Sequence, residues 1–186
     1  MSPVDDPAST VAYEVLDVEG FRSIIPQLGE LIADSVDSGS SVNFLRGFSA
    51  ADGAAWWTGR IPDVASGAIR PIVARLAGDV VGVVLLVPSR NPNSPHRAEV
   101  NKVIVHRRAR SRGIGTGLMD ALEDLARAEG RWLLLLDTES GSDAERMYRR
   151  LGWTAFGTVP DHAMRVDGEL GQTTYFRKDL RESPAG

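Results

Sequence analysis

A mixed α/β sheet, mostly antiparallel with one parallel strand pair, is the fold this sequence predicts, and three observations predict it. Two β-rich apolar runs within residues 69–87 flank Ala77-Gly78-Asp79, a hairpin signal. Residues 99–105, 114–129 and 132–137 read as strand, amphipathic helix and strand, which makes a βαβ unit with parallel neighbours and a right-handed crossover. After a further helical stretch, residues 154–159 and 173–177 form a strand pair bridged by a polar loop carrying Asp167-Gly168.

Along the chain, residues 11–15 are a candidate first strand, and 17–37 read as helical with Pro26 and Gly29 as possible breaks. Ser49 is a capping residue ahead of Ala50, Ala51 and two tryptophans, so a short helix is expected over 49–58. Ser89-Arg-Asn-Pro-Asn-Ser-Pro-His-Arg97 is turn chemistry. In the helix at 114–129, Leu118, Leu122 and Leu125 make one apolar stripe. The unbroken apolar run before Asp137 implies a strand buried on both faces. The helix over 142–151 presents Ala144, Met147 and Leu151 together and stops at Gly152.

With 186 residues the chain is long enough for one sizeable core and short for two, so a single domain at 11–180 with flexible tails at 1–10 and 181–186 is expected. The 42% hydrophobic and 25% charged residues are globular proportions, which argues against disorder. Absence of cysteine excludes disulfides, thiol nucleophiles and cysteine-ligated zinc. A net charge of -4 opposes a surface wholly committed to nucleic acid while allowing a local basic patch. No apolar stretch approaches the ~20 residues that span a bilayer, and the first ten residues lack a basic start and apolar run, so a cytoplasmic protein without membrane attachment is expected.

The most informative segment is Arg110-Ser111-Arg112-Gly113-Ile114-Gly115-Thr116-Gly117, between a strand and a helix start. Glycines there free backbone N–H groups and let a phosphate approach, and the helix dipole adds positive charge. Arg107, Arg108, Arg110 and Arg112 supply guanidinium groups suited to phosphate. Leu118-Met119 stands where a P-loop needs lysine and serine or threonine, and the turn lies too far along the chain for a dinucleotide fold. A strand-to-helix turn with solvated arginines is the plainer alternative.

Arg-x-x-Gly-Ile-Gly opening a helix resembles the pyrophosphate-binding signature of the GNAT acetyltransferases. Ala144-Glu-Arg-Met-Tyr148-Arg-Arg-Leu151-Gly152-Trp153 resembles the second motif of that family. Over residues 97–180, Arg-Ala-Glu-Val-Asn-Lys, Leu-Asp-Thr-Glu-Ser-Gly-Ser and Tyr-Phe-Arg-Lys-Asp-Leu are similar to the tabtoxin-resistance type of acetyltransferase. The resemblance implies an acyl-CoA N-acyltransferase fold whose parallel pair is splayed to admit coenzyme A. It further implies acetyl-CoA as acetyl donor, no metal, and a small-molecule amine acceptor such as an amino-acid-like antibiotic or toxin. A protein N-terminus or lysine as acceptor, or a non-catalytic acyl-CoA-binding module, are the alternatives. Monomer and homodimer both fit the family.

On that resemblance, coenzyme A would contact Val103, Ile104, Val105, Arg110, Arg112, Gly113, Ile114, Gly115, Thr116, Gly117, Ala144 and Met147. Many relatives carry asparagine where this chain has Gly141, and Thr138 or Ser142 would take over its contact. An alkyl amine is mostly protonated at neutral pH, so acyl transfer needs a base. Glu99 matches a position where the family keeps a glutamate base; Asp137 closes the next strand as second base or ammonium partner. Both are expected in apolar surroundings that raise their basicity, and at different depths along a flat parallel pair. Their plainer roles are a surface pair of Glu99 with Arg97 or Lys102 and a turn cap by Asp137. Backbone N–H groups of Val103–Val105 are candidates for an oxyanion site if the strand is bulged. Tyr148 matches the family's thiolate-facing tyrosine, as hydrogen-bond donor rather than full acid. His96, His106 and His162 are scattered. Asp137, Glu139, Asp143 and Glu145 lack a cation-binding loop, and Trp56 and Trp57 either wall the acceptor pocket or fill the core.

Overall fold

The computed structural model describes residues 10–40 and 42–181; the expected tails at 1–10 and 181–186 lie outside them except for Thr10 and Arg181. The described residues form a seven-stranded sheet of order β1-β2-β3-β4-β5-β7-β6. Its strands are β1 (Val11–Val15), β2 (Arg70–Leu76), β3 (Asp79–Pro88), β4 (Arg97–Val105), β5 (Leu133–Glu139), β6 (Thr154–Met164) and β7 (Leu170–Asp179). Only β4 and β5 pair in parallel; every other neighbour is antiparallel. The β2–β3 hairpin closes through Ala77 and Gly78 at φ 52° and 89°. Two left-handed residues in succession give the turn whose twist matches that of the strands.

Helices α1 (Val18–Ser23), α2 (Ile25–Asp37), α3 (Ala50–Thr58) and α4 (Ile61–Ala65) lie on one face, and α5 (Ile114–Ala128) and α6 (Asp143–Arg150) on the other. The helical stretch expected at 17–37 divides at Ile24, and Pro26 then sits in the first turn of α2, where its missing N–H leaves nothing unpaired. Gly29 does not break α2. Instead it lets α3 cross at contact distance: a Cβ at Gly29 would stand 2.4 Å from the Ala50 carbonyl oxygen and 2.7 Å from the Ala54 nitrogen. Ser49 caps α3 reciprocally with Asp52, each side chain taking the other's backbone N–H at 3.1 and 2.9 Å.

Two cores result. One packs Leu118, Met119 and Leu122 of α5 and Tyr148 of α6 against Val100, Leu134, Leu136 and Phe176; the other packs Leu28, Ile32 and Trp57 against Val73, Val83, Leu85 and Ile104. The second core contains no residue of β5. The expectation of a β5 buried on both faces therefore fails: Leu134 and Leu136 are buried under α5, while Leu133 and Leu135 are only half-buried. Strands β6 and β7 run longer than expected because the polar Asp161 and His162 continue β6 past a bulge, with Asp161 at φ 52°.

Gly29→Ala should lower stability by about 2 kcal/mol in urea unfolding, since the clash is with backbone and outweighs the better helix propensity of alanine. A stabilised variant would show that the helices do not cross this closely.

Candidate functional site

The glycine turn lies where the sequence places it, and its groups divide the work. Ser111 and Gly113 adopt φ 62° and 76°, and Gly113 is the N-cap of α5 with nothing within 4 Å of where its Cβ would be. Left-handed residues in such a turn gather N–H groups into a concave anion site, here at the positive end of a 15-residue helix. The N–H groups of Ile114, Gly115 and Thr116 have no helical acceptor, whereas Gly117 already donates its own to the Gly113 carbonyl at 3.0 Å. Gly117 thus contributes space rather than an amide, because Tyr13 packs across it with its oxygen 2.0 Å from the position of an added Cβ. Gly115 similarly faces the Met147 sulfur at 3.0 Å, and the Ile114 side chain is buried in the core.

The arginines around the turn are mostly committed. Arg107 binds the Asp34 carboxylate, Arg108 pairs with Asp79 at 2.9 Å, and Arg110 donates to the Val105 carbonyl at 3.0 Å and to Ser38 Oγ at 2.7 Å. They fasten α2 and β3 to the turn. Arg112, next to Gly113 in the chain, is exposed and makes no contact of this kind with the described residues.

Beside the turn, β4 and β5 separate. Their ladder comprises Arg97–Leu133, Ala98–Leu134 and Glu99–Leu135 and goes no further. On its other edge β4 slips by one residue against β3 between Val83–Ile104 and Leu85–Asn101, with Lys102 at φ 54°. This is a bulge: it bends the strand and sends Asn101 and Lys102 to the same face. The backbone of Val103, Ile104 and Val105, three of the expected contact residues, lies beyond both the bulge and the last β5 pair.

Glu99 and Asp137 come together better than a flat pair suggests. Glu99 is level with Leu135, so Asp137 is only two residues further along, and both project from the same face. Ladder spacings place their Cα atoms about 8 Å apart. The apolar surroundings expected for them are absent: both are exposed, because the helices on this face cover β3 and the end of β4 but not β5. Glu99 forms no ion pair with Arg97 or Lys102, and it opens on a hollow lined by Pro88, Arg90, Asn91 and Arg97. Asp137 neither caps the following turn, which Ser142 does, nor pairs with any described residue. Tyr148 is 4% exposed between Trp153 and Phe176, and its hydroxyl has no hydrogen-bond partner among the described residues. Burial, and secondarily the charge of Asp137, raise its pKa above that of a free phenol. It is therefore a hydrogen-bond donor at neutral pH and a poor acid.

On the second motif, Gly141 stands at φ 78°. Glycine and asparagine are the residues that tolerate this conformation, so the departure from asparagine keeps the turn and loses only an amide. Thr138 and Ser142 stand together with hydroxyls 3.4 Å apart; Ser142 also caps α6 through the Glu145 N–H, 3.1 Å away. Ala144 and Met147 face the core from α6. Glu139 pairs with Arg165 at 3.0 Å, Asp143 with Arg146, and Glu145 with Arg149 at 2.7 Å. The Gly141 N–H and then Arg149 hold the pKa of Glu145 below the usual carboxylate value. His96 stacks on Trp132, His106 lies near Asp34, and His162 bonds the Tyr175 hydroxyl at 2.7 Å. The two tryptophans take different roles: Trp57 is fully buried and donates to the Leu28 carbonyl at 3.0 Å, while Trp56 stays at the margin.

The residue missed from sequence is Lys102. Its ammonium lies 5.2 and 5.1 Å from the ring centres of Phe44 and Trp56 and donates to the Val42 carbonyl at 3.0 Å. No carboxylate among the described residues pairs with it. Burial lowers its pKa to about 8, against the upward pull of Asp137 and with a smaller push from Arg60. The signal was present: in Glu99-Val-Asn-Lys-Val103, Lys102 interrupts the alternation of the strand.

The model of the acetyltransferase (GNAT) family matches residues 43–153. An N-acetyltransferase from Staphylococcus aureus superposes with TM-score 0.75 at 17% identity, covering 92% of this chain and 99% of that one. The Salmonella typhimurium protein YncA, determined with its cofactor acetyl-CoA, gives 0.72 at 21%, covering 94% and 96%. A ribosomal-protein-alanine N-acetyltransferase from Brucella melitensis gives 0.69 at 23%, covering 91% and 99%. These likenesses concern the fold.

The Lys102 shift implies a pH dependence whose sign is fixed. Its pKa is about 8 folded against 10.5 for a free lysine side chain, so the unfolded chain binds the extra proton between these limits. Below about pH 8 both states are protonated and stability is flat in this term. From pH 8 to 10.5 the wild type should gain about 2–3 kcal/mol relative to Lys102→Met, read by urea unfolding of both proteins at the two pH values. A constant difference between them would refute the buried cation.

Proposed function

Since the chain belongs to the GNAT acetyltransferase family, we propose that it transfers the acetyl group of acetyl-CoA to the amine of a small molecule, within one domain spanning 11–180. The observation that carries this is the juxtaposition of an open amide turn at Gly113–Thr116 with a strand pair that separates beyond Glu99. The residues fit the donor: the turn has unpaired N–H groups and no Cβ in its mouth, Arg112 lies beside it, and the gap between β4 and β5 is wide enough to have lost its ladder. Acetyl-CoA would supply an activated thioester; the rest is the work of this chain.

The amides of Ile114, Gly115 and Thr116, with Arg112, hold the diphosphate. Arg110 keeps the turn in place rather than donating its two bound nitrogens. Ala144, Met147, Thr138 and Ser142 line the arm of the donor, and backbone N–H groups among Val103–Val105 receive developing negative charge on the carbonyl oxygen. Glu99 takes the proton of the acceptor amine, directly or through one water, as its exposure allows. Asp137, unpaired and on the same face, attracts the ammonium before deprotonation. Tyr148 offers its otherwise unused hydroxyl to the departing sulfur, and its raised pKa keeps that hydroxyl protonated. An amino-acid-like antibiotic or toxin is the acceptor that the resemblance over residues 97–180 implies.

Calorimetry should detect acetyl-CoA binding to the purified protein, and thiol release should follow with some member of an amine panel; binding without release would leave an acyl-CoA-binding module. Glu99→Gln should lower kcat/KM by about 10²–10³ with acetyl-CoA affinity unchanged. Tyr148→Phe should lower kcat by about 10–100-fold, the worth of one hydrogen bond to a developing charge. Full activity in either variant would remove that residue from the mechanism.

A further inference from the structure

Among the described residues Lys102 is a cation without a paired carboxylate. The bulge turns its side chain to the face that carries Glu99 and Asp137, and Val42, Phe44 and Trp56 confine its ammonium there. Arg60 lies 5.3 Å from the ring centre of Trp56 and pairs with Asp63 at 3.2 Å, and Asp52 is engaged by the Ser49 N–H, so the carboxylates of α3 and α4 are committed elsewhere. Asp137 of β5 and Arg60 are the charged groups that bear on it. The chain is also nearly without lysine: among 21 basic residues only Lys102 and Lys178 are lysines. Lys178 is engaged by Glu123 at 2.6 Å and by the Leu151 carbonyl at 2.8 Å.

We propose that Lys102 is a self-acetylation site: with no acceptor amine present, its side-chain nitrogen takes the acetyl group from the donor thioester. This rests on the reading of the β4–β5 gap as the donor site. Lys102 stands three residues along β4 from Glu99, on the same face and past the end of the β4–β5 ladder, and is an alkyl amine of the kind the site is proposed to acetylate. The lowered pKa adds that about one molecule in ten is already neutral at pH 7. In the step, the ammonium first loses a proton to water; the nitrogen lone pair then attacks the thioester carbonyl carbon. An N–C bond forms, the C–S bond breaks, the nitrogen loses its second proton and the thiolate gains one. Amine and thioester become amide and thiol, with nothing oxidised or reduced. The amide product keeps one N–H for the Val42 carbonyl and no longer places a charge between the rings.

The test is intact-mass measurement of the full chain after incubation with acetyl-CoA alone, with peptide mapping. A single addition of about 42 Da on the peptide bearing Lys102 is expected, retained in Lys178→Arg and lost in Lys102→Arg. The labelling rate should rise about fivefold from pH 7 to 8 and less than twofold from 8 to 9. Labelling at Lys178, or equally fast labelling of urea-unfolded protein, would overturn the proposal as ordinary chemical acetylation. So would no addition when calorimetry shows acetyl-CoA bound, which leaves the transferase reading standing. Absence of acetyl-CoA binding would overturn both.

Discussion

The extra residue in β4 is the constraint on which the rest of the site depends. A strand cannot pair evenly on both edges and also bend away from one neighbour. The one-residue slip against β3 at Lys102 resolves this by keeping the antiparallel ladder while the parallel ladder stops at Glu99. A non-glycine residue held at φ 54° is strained by about 1 kcal/mol or more, and it persists only because both sides of the bulge are anchored. Val83–Ile104 and Leu85–Asn101 anchor it by hydrogen bonding, and Ile104 anchors it in the core under α2. The side chain of Lys102 adds a third hold through Val42, Phe44 and Trp56.

That hold explains why the first half of the chain matters to a site whose named groups all lie in the second. Helices α2 and α3 cross at Gly29, which fixes where the segment from Val42 to Phe48 and Trp56 can stand. The same α2 ends beside the glycine turn, where Asp34 binds Arg107 and Ser38 binds Arg110. One helix thus supports both ends of the proposed donor site. The arginine-rich approach to the turn is better understood as this fastening than as a row of phosphate ligands.

What was legible in the sequence follows from what period and turn chemistry encode. Strand and helix order, the hairpin at Ala77-Gly78, the parallel pair and the glycine turn were all local signals, and each is present. The burial of β5 was misjudged because an apolar run does not say which face a distant helix covers. The same ignorance hid the exposure of Glu99 and Asp137. Gly115 and Gly117 carry one letter in a motif yet serve Met147 and Tyr13, partners remote in sequence that no spacing rule could supply. Lys102 was legible as a break in alternation, but its cage came from residues 42–56, where the sequence offered no motif.

Asp137 lies near enough to bear on both Tyr148 and Lys102, raising the pKa of each. On the tyrosine this adds to burial and fixes the protonated phenol. On the lysine it opposes burial, and burial is the larger effect, so the pKa settles at about 8, below that of a free lysine. One exposed carboxylate thus reinforces the protonated phenol of Tyr148 and only partly offsets the effect of burial on Lys102. The two respond oppositely because burial favours the neutral form, which carries the proton in a phenol and lacks it in an amine.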